Sequence, residues 1–261
     1  MIEVKNLTKT YGKKTVVKNT TWVAKDGKIT GFIGPNGAGK TTSLSMITGS
    51  LKPTSGGIRL NGIDISKEPL KAKQCFGYVS DSPDNFLRLK GIEYLNFIAD
   101  IYNTPEEGRA EFIENTAKRF GIFESLNQQI ISYSHGMRQK IMVMGALIHK
   151  PSIWILDEPL TGLDPQAAFE LKEMMKEHVK AGNSVLFSTH VLEVAEKLCD
   201  EVIIIKKGEI RFNGTVEELK NKYPGQSLEK IFLELTSGKS SSEEENSDKK
   251  VKDEKKKAEK K

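Results

Sequence analysis

Gly34-Pro35-Asn36-Gly37-Ala38-Gly39-Lys40-Thr41-Thr42 matches the phosphate-binding loop pattern G-x-x-x-x-G-K-[ST] at every fixed position. Gly34, Gly37 and Gly39 let the backbone turn tightly and come close to an anion. Backbone N–H groups, helped by the start of the helix that follows, then converge on phosphates. The spacing sends the Lys40 ammonium to the outer phosphates and the Thr41 hydroxyl to Mg²⁺. The flanks supply the setting this motif requires. Ile29-Thr30-Gly31-Phe32-Ile33 reads as a buried strand, and Thr42-Ser43-Leu44-Ser45-Met46-Ile47 begins a helical pattern.

Upstream, Ile2–Val4, Thr15–Val17 and Thr20–Ala24 are short apolar runs separated by turns, which predicts an antiparallel β-layer. Downstream, Ile58–Leu60, Asn61-Gly62 and Ile63 predict a hairpin, and Phe76–Val79 another short strand. From about residue 86 to 150 the pattern turns helical. Ile92, Leu95, Asn96, Ala99 and Tyr102 fall near one face, as do Phe112, Ile113, Thr116, Ala117 and Phe120. Strands return at Ile153–Leu156, Ser184–Phe187 and Val202–Ile205. Each is apolar on both faces, as in a parallel sheet between layers. Helices are expected near 166–180 and 191–198, and closing helices at Glu217–Lys222 and Leu228–Leu235. The fold class is α/β. Beyond Thr236 almost nothing is apolar, so residues 237–261 are expected to be a disordered charged tail.

The formal net charge of +5 is matched by the last stretch of that tail alone, residues 249–261. Residues 249–261 hold eight Lys and three acids, 8 − 3 = +5, so residues 1–248 are formally neutral. No nucleic-acid partner is therefore expected for the folded part. No stretch of apolar residues reaches membrane-spanning length, and Met1–Asn6 has no apolar signal region, so export by that route is not expected. Cys75 and Cys199 form no C-x-x-C pair and read as reduced core thiols.

Ile153-Trp154-Ile155-Leu156-Asp157-Glu158 is an apolar strand ending in two acids. Carboxylates at the C-terminal end of a buried strand line the ligand crevice of an α/β sheet. In that place Asp157 holds magnesium, through water, and Glu158 polarises the attacking water as general base.

From this point the chain resembles the nucleotide-binding subunit of an ABC transporter over residues 1–236, with a helical subdomain at about 86–150. The resemblance implies a P-loop NTPase core with a mixed or parallel sheet, an N-terminal antiparallel β-subdomain and a helical subdomain carrying the signature. Lys9-Thr10-Tyr11-Gly12 resembles the segment whose ring stacks on adenine, which assigns that role to Tyr11. Leu160-Thr161-Gly162-Leu163-Asp164-Pro165 resembles the loop that crosses the dimer interface. Ser188-Thr189-His190 resembles the switch segment, so His190 would contact the γ-phosphate. Tyr133-Ser134-His135-Gly136-Met137 stands at the signature usually written L-S-G-G-Q. Ser134 and Gly136 match it, while Tyr133, His135 and Met137 depart. In Phe76-Gly77-Tyr78-Val79-Ser80-Asp81 the family usually ends on Gln. Asp81 is shorter and anionic, and can still ligate Mg²⁺.

The resemblance implies ATP and Mg²⁺ as cofactors. Gly34–Thr42 would bind the phosphates, Thr41, Asp157 and Asp81 the metal, and Ser134 and Gly136 the ATP of a second copy. It also implies a homodimer that drives an integral membrane permease from the inner face of the cell membrane. The Tyr-Ser-x-Gly-Met signature and the Ser227–Thr236 ending are similar to subunits of export-type permeases, which implies export of a small molecule or peptide. The alternative is a soluble ABC ATPase acting on a ribosome, nucleic acid or assembly complex.

Overall fold

The computed structural model describes residues 1–84 and 86–237, in two compact units, Met1–Val216 and one that begins at Glu217. In the first unit β1 (Ile2–Tyr11) and β2 (Lys14–Ala24) form a long antiparallel hairpin. It is extended on the other side of β1 by β4 (Ser55–Leu60) and then β5 (Ile63–Asp64). The β4–β5 turn has Asn61 and Gly62 at φ 49° and 79°, as the primed hairpin turn demands. The sheet bends where Asn6 (φ 52°) and Asn19 (φ 49°) adopt the left-handed conformation that Asn tolerates. Those positions coincide with register shifts along β1.

The second sheet has the order β10-β9-β3-β8-β7-β6. Its strands are β3 (Ile29–Ile33), β6 (Phe76–Val79), β7 (Ile153–Leu156), β8 (Ser184–Thr189), β9 (Glu201–Lys206) and β10 (Glu209–Thr215). β6, β7, β8, β3 and β9 run parallel, and β10 closes the edge antiparallel to β9. Both faces are covered, which explains the unbroken apolar runs. Along β7 the side chains alternate. Ile153 and Ile155 join Phe32, Leu186, Ile203 and Ile205 against the antiparallel sheet, where Trp22 and Phe32 have ring centroids 5.4 Å apart. Trp154 and Leu156 join Val185 and Phe187 on the opposite, helical side.

The helices are α1 (Lys40–Ile47), α2 (Pro69–Gln74), α3 (Gly91–Ile101), α4 (Arg109–Arg119), α5 (His135–Leu147), α6 (Pro165–Lys180) and α7 (Leu192–Leu198). α3, α4 and α5 make the helical region between β6 and β7. Leu95, Ala99, Ile113, Ala117, Ile141 and Met144 share its core with Trp154 and Phe187. Short α2, started by Pro69 in its first turn, has no counterpart in the sequence reading.

In the second unit, α8 (Val216–Lys222) continues from the first, and α9 (Leu228–Ser237) is capped by Ser227, whose Oγ accepts from the Lys230 N–H at 3.3 Å. Leu219, Leu228 and Ile231 are its buried side chains. Residues 238–261, on which the reading of a charged tail falls, lie outside the described residues. No helix among the described residues is long and apolar enough to cross a membrane.

Candidate functional site

Parallel strands end at one edge, and their registers decide what meets there. Ile33 pairs with Thr189, Leu156 with Phe187, and Val79 with Leu156. The residues that follow these strands are the phosphate loop, His190, Asp157 and Asp81, so topology alone gathers them at the carboxyl edge of the sheet.

The loop 34–39 is held tightly. A Cβ on Gly34 would lie 2.5 Å from the Ile205 carbonyl oxygen, so only glycine fits. Gly39 has φ 110° and serves as N-cap of α1 without any side-chain cap. The first N–H groups of α1 are therefore presented uncapped at the positive end of its dipole. Pro35, Asn36 and Gly37 are exposed, whereas Ala38 is buried. Lys40 is only 6% exposed. Its Nζ donates to the Gly34 carbonyl at 2.8 Å and stands 3.4 Å from Glu158 Oε1, an ion pair too long for a hydrogen bond.

Asp157 is fully buried. Its Oδ1 accepts from Ser188 Oγ, and the Thr41 hydroxyl lies near this carboxylate. Burial pushes the Asp157 carboxyl above its ordinary pKa. The Ser188 and Thr41 hydroxyls oppose that shift, and the charges of Asp81 and Glu158 add to it. The Glu158 N–H donates to the same Ser188 Oγ at 3.0 Å. Ser188 thus bridges both acids, from a neighbouring strand. Glu158 takes φ 47°, a left-handed conformation that costs a non-glycine residue about 1–3 kcal/mol. Two hydrogen bonds pin it: its N–H to Ser188, and its carbonyl from the Thr161 N–H at 3.2 Å. The bend turns the carboxylate back over the loop, where Oε2 lies 3.0 Å from His190 Nδ1 and Oε1 faces Lys40. The sequence patterns gave Ser188 no role. Its task follows from β8 lying beside β7, a pairing of residues 31 apart.

The donor set suits magnesium. Asp157 Oδ2 is buried without a hydrogen-bond partner, the Thr41 hydroxyl is beside it, and Asp81 is exposed close by, its Oδ1 accepting from Ser80 Oγ at 3.2 Å. All are hard oxygen ligands. Among the described residues no group of three or more His, Cys, Asp or Glu forms a complete cage. Remaining ligands would have to be phosphate oxygens and water, the arrangement magnesium favours at nucleotide sites.

Ser134 and Gly136 stand elsewhere, at the N-terminus of α5. Ser134 is the N-cap, its Oγ accepting from the Met137 N–H at 3.2 Å. The buried Tyr133 donates from its hydroxyl to the Ser125 carbonyl at 2.6 Å, which anchors the turn before the cap. Asp164 caps α6, its Oδ1 accepting from the Ala167 N–H at 2.8 Å, and its Oδ2 accepts from Lys140 Nζ at 2.8 Å. These bonds hold the Asp164 carboxyl below its ordinary pKa, Lys140 foremost. Tyr11 is 49% exposed at the tip of the β1–β2 hairpin, with Lys9 Nζ 5.0 Å from its ring centroid. Cys75 and Cys199 are both free thiols, and burial pushes the Cys199 thiol far up.

A family model described as ABC transporter matches residues 17–161. The ABC-type transporter ATP-binding protein EcsA of Bacillus subtilis (strain 168) is 37% identical over 238 residues, covering 90% of this chain and 96% of EcsA. A solved structure of an ATP-binding subunit of an ABC transporter superposes with a TM-score of 0.86 at 32% identity, covering 90% of this chain and 99% of that one. A dimeric ATP-binding cassette in a post-hydrolysis state, bound to ADP and Pi, superposes with a TM-score of 0.75 at 25% identity, covering 83% of this chain and 99% of its own.

Proposed function

The chain belongs to the ABC transporter family as an ATP-binding, ATP-hydrolysing subunit, and from that premise we propose that two copies close on two ATP molecules to drive a separate membrane permease in the direction of export. Tyr11 stacks on the adenine. The amides of Gly34–Thr42, together with Lys40, hold the phosphates. For this, Lys40 must leave the Gly34 carbonyl for the nucleotide, a short swing of a flexible side chain. Thr41, Asp157 and Asp81 hold magnesium, which when bound neutralises phosphate charge. Glu158 accepts a proton from the attacking water, and His190, its hydrogen-bonded neighbour, steadies the γ-phosphate. Ser134 and Gly136 meet the ATP of the second copy, where Ser134 exchanges its own Met137 N–H for a phosphate contact.

The observation that carries this reading is the left-handed Glu158. A strained backbone at a carboxylate aimed between Lys40 and His190 is hard to explain by folding alone, and strain of this kind clusters at reacting centres. The test is Glu158→Gln. The variant is expected to bind ATP, to form a stable ATP-dependent dimer in gel filtration, and to lose hydrolysis by about 10²–10⁴-fold. A monomer in saturating ATP, or near-normal turnover, overturns the assignment.

The permease, the peripheral position on the cytoplasmic face and the export direction rest on the family and on the Tyr-Ser-x-Gly-Met signature. Affinity capture of tagged protein from gently solubilised membranes tests them together. A stoichiometric multi-span protein supports transport. Recovery of ribosomal or assembly proteins alone favours the soluble alternative.

A further inference from the structure

We propose that Lys140 is a positioning residue that locks the first turn of α5 to the loop 159–164, so that the two segments facing a partner subunit's nucleotide move as one body. The inference rests on the dimer reading above. The Lys140 side chain is 11% exposed and its Nζ donates to Asp164 Oδ2 at 2.8 Å. The other oxygen of that carboxylate caps α6 through Ala167. One side chain therefore joins the signature helix to the start of α6. A second point of contact lies a turn earlier. A Cβ on Gly136 would sit 2.9 Å from the Gly162 carbonyl oxygen, and one on Gly162 would sit 2.5 Å from His135 Cδ2. Two separate contacts, one backbone and one ionic, fix an orientation as well as a distance. The same loop continues back to the active centre, because the Thr161 N–H donates to the Glu158 carbonyl. The path from Ser134 and Gly136 through Lys140 and Asp164 thus reaches the backbone of Glu158 in its own chain's site.

An exposed Lys–Asp pair contributes little, but a lysine buried to this degree needs its partner. Lys140→Met keeps the length and removes the charge. Asp164 is half-exposed and retains its Ala167 bond, so the fold survives the change.

The experiment compares Glu158→Gln with Lys140→Met/Glu158→Gln by light scattering across an ATP titration. It adds fluorescent-nucleotide binding to the dilute monomer and a melting curve without nucleotide. The expected result is an ATP concentration for half-maximal dimerisation raised on the order of tenfold, with monomer nucleotide affinity and melting temperature unchanged. Lys140→Arg/Glu158→Gln restores dimerisation. Equal dimerisation by the methionine variant, or failure of arginine to rescue it, overturns the lock. A Glu158→Gln parent that never dimerises overturns the dimer reading instead, so the two failures are told apart.

Discussion

Two helix N-termini in this chain have opposite finish. At α1 the cap is Gly39, with no side chain on the first N–H groups, and the neighbouring cation Lys40 rests provisionally on the Gly34 carbonyl and against Glu158. At α5 the cap is Ser134, already bonded to Met137, and the neighbouring cation Lys140 is committed to Asp164. The first end is furnished within one chain with what a phosphate and its hydrolysis need. The second is already bonded within its own chain, through Met137 and Asp164. A helix N-terminus becomes a nucleotide site through its surroundings, and those of α5 fit the proposal that it completes a site on a second copy.

Glycine variants break the comparison most sharply. Gly34→Ala forces a Cβ to 2.5 Å from the Ile205 carbonyl oxygen, so ATP binding itself is expected to fail. Gly136→Ala forces one to 2.9 Å from the Gly162 carbonyl oxygen. The dilute monomer should still bind fluorescent ATP analogue normally, while turnover falls about 10²-fold from the displaced signature. Mixing the two inactive proteins should restore turnover, because each mixed dimer contains one site with an intact loop and an intact facing signature. An inert mixture, or lost monomer binding in Gly136→Ala, ends the idea that α5 serves another chain's ATP.

Ser188→Ala has a smaller expected effect, confined to the first site. It removes the donor to Asp157 Oδ1 and the acceptor of the Glu158 N–H. Leaving these buried groups unpaired costs about 1–3 kcal/mol. The melting temperature should fall by several degrees, and kcat should fall more than the KM for ATP rises, since the tether of Glu158 is lost. A variant with unchanged kcat would mean that Thr161 and His190 suffice to hold the carboxylate.

How far the sequence could be read follows the range of the interactions. The strand, loop and helix around residues 29–47 are local, and their glycine spacing and apolar runs state them outright. The same holds for the Asn61-Gly62 turn and for Ile153–Leu156 ending in acids. The strand order was not legible, because β3 sits between β8 and β9, which come from the far end of the chain. With it went Ser188, an ordinary residue until β8 is laid beside β7. The conformation of Glu158 was equally hidden, since glutamate has no preference for positive φ and takes it only because tertiary hydrogen bonds impose it. The bulges at Asn6 and Asn19 escaped for a related reason: asparagine permits the left-handed conformation without requiring it.

The smallest expected effect concerns Tyr11, at the tip of the β1–β2 hairpin. Its ring is half-exposed and steadied by Lys9, whose Nζ also donates to the Lys52 carbonyl at 2.7 Å. Base stacking on such a ring contributes about 1–3 kcal/mol and tolerates any base. Tyr11→Ala should therefore raise the KM for ATP roughly tenfold with kcat nearly unchanged, and Tyr11→Trp should restore it. The KM for GTP should rise in parallel, because stacking does not distinguish the purines. A kcat loss equal to that of Ser188→Ala would place the hairpin tip in the hydrolysis step. An unchanged KM would leave Tyr11 a surface residue and hand the whole of nucleotide affinity to the phosphate loop.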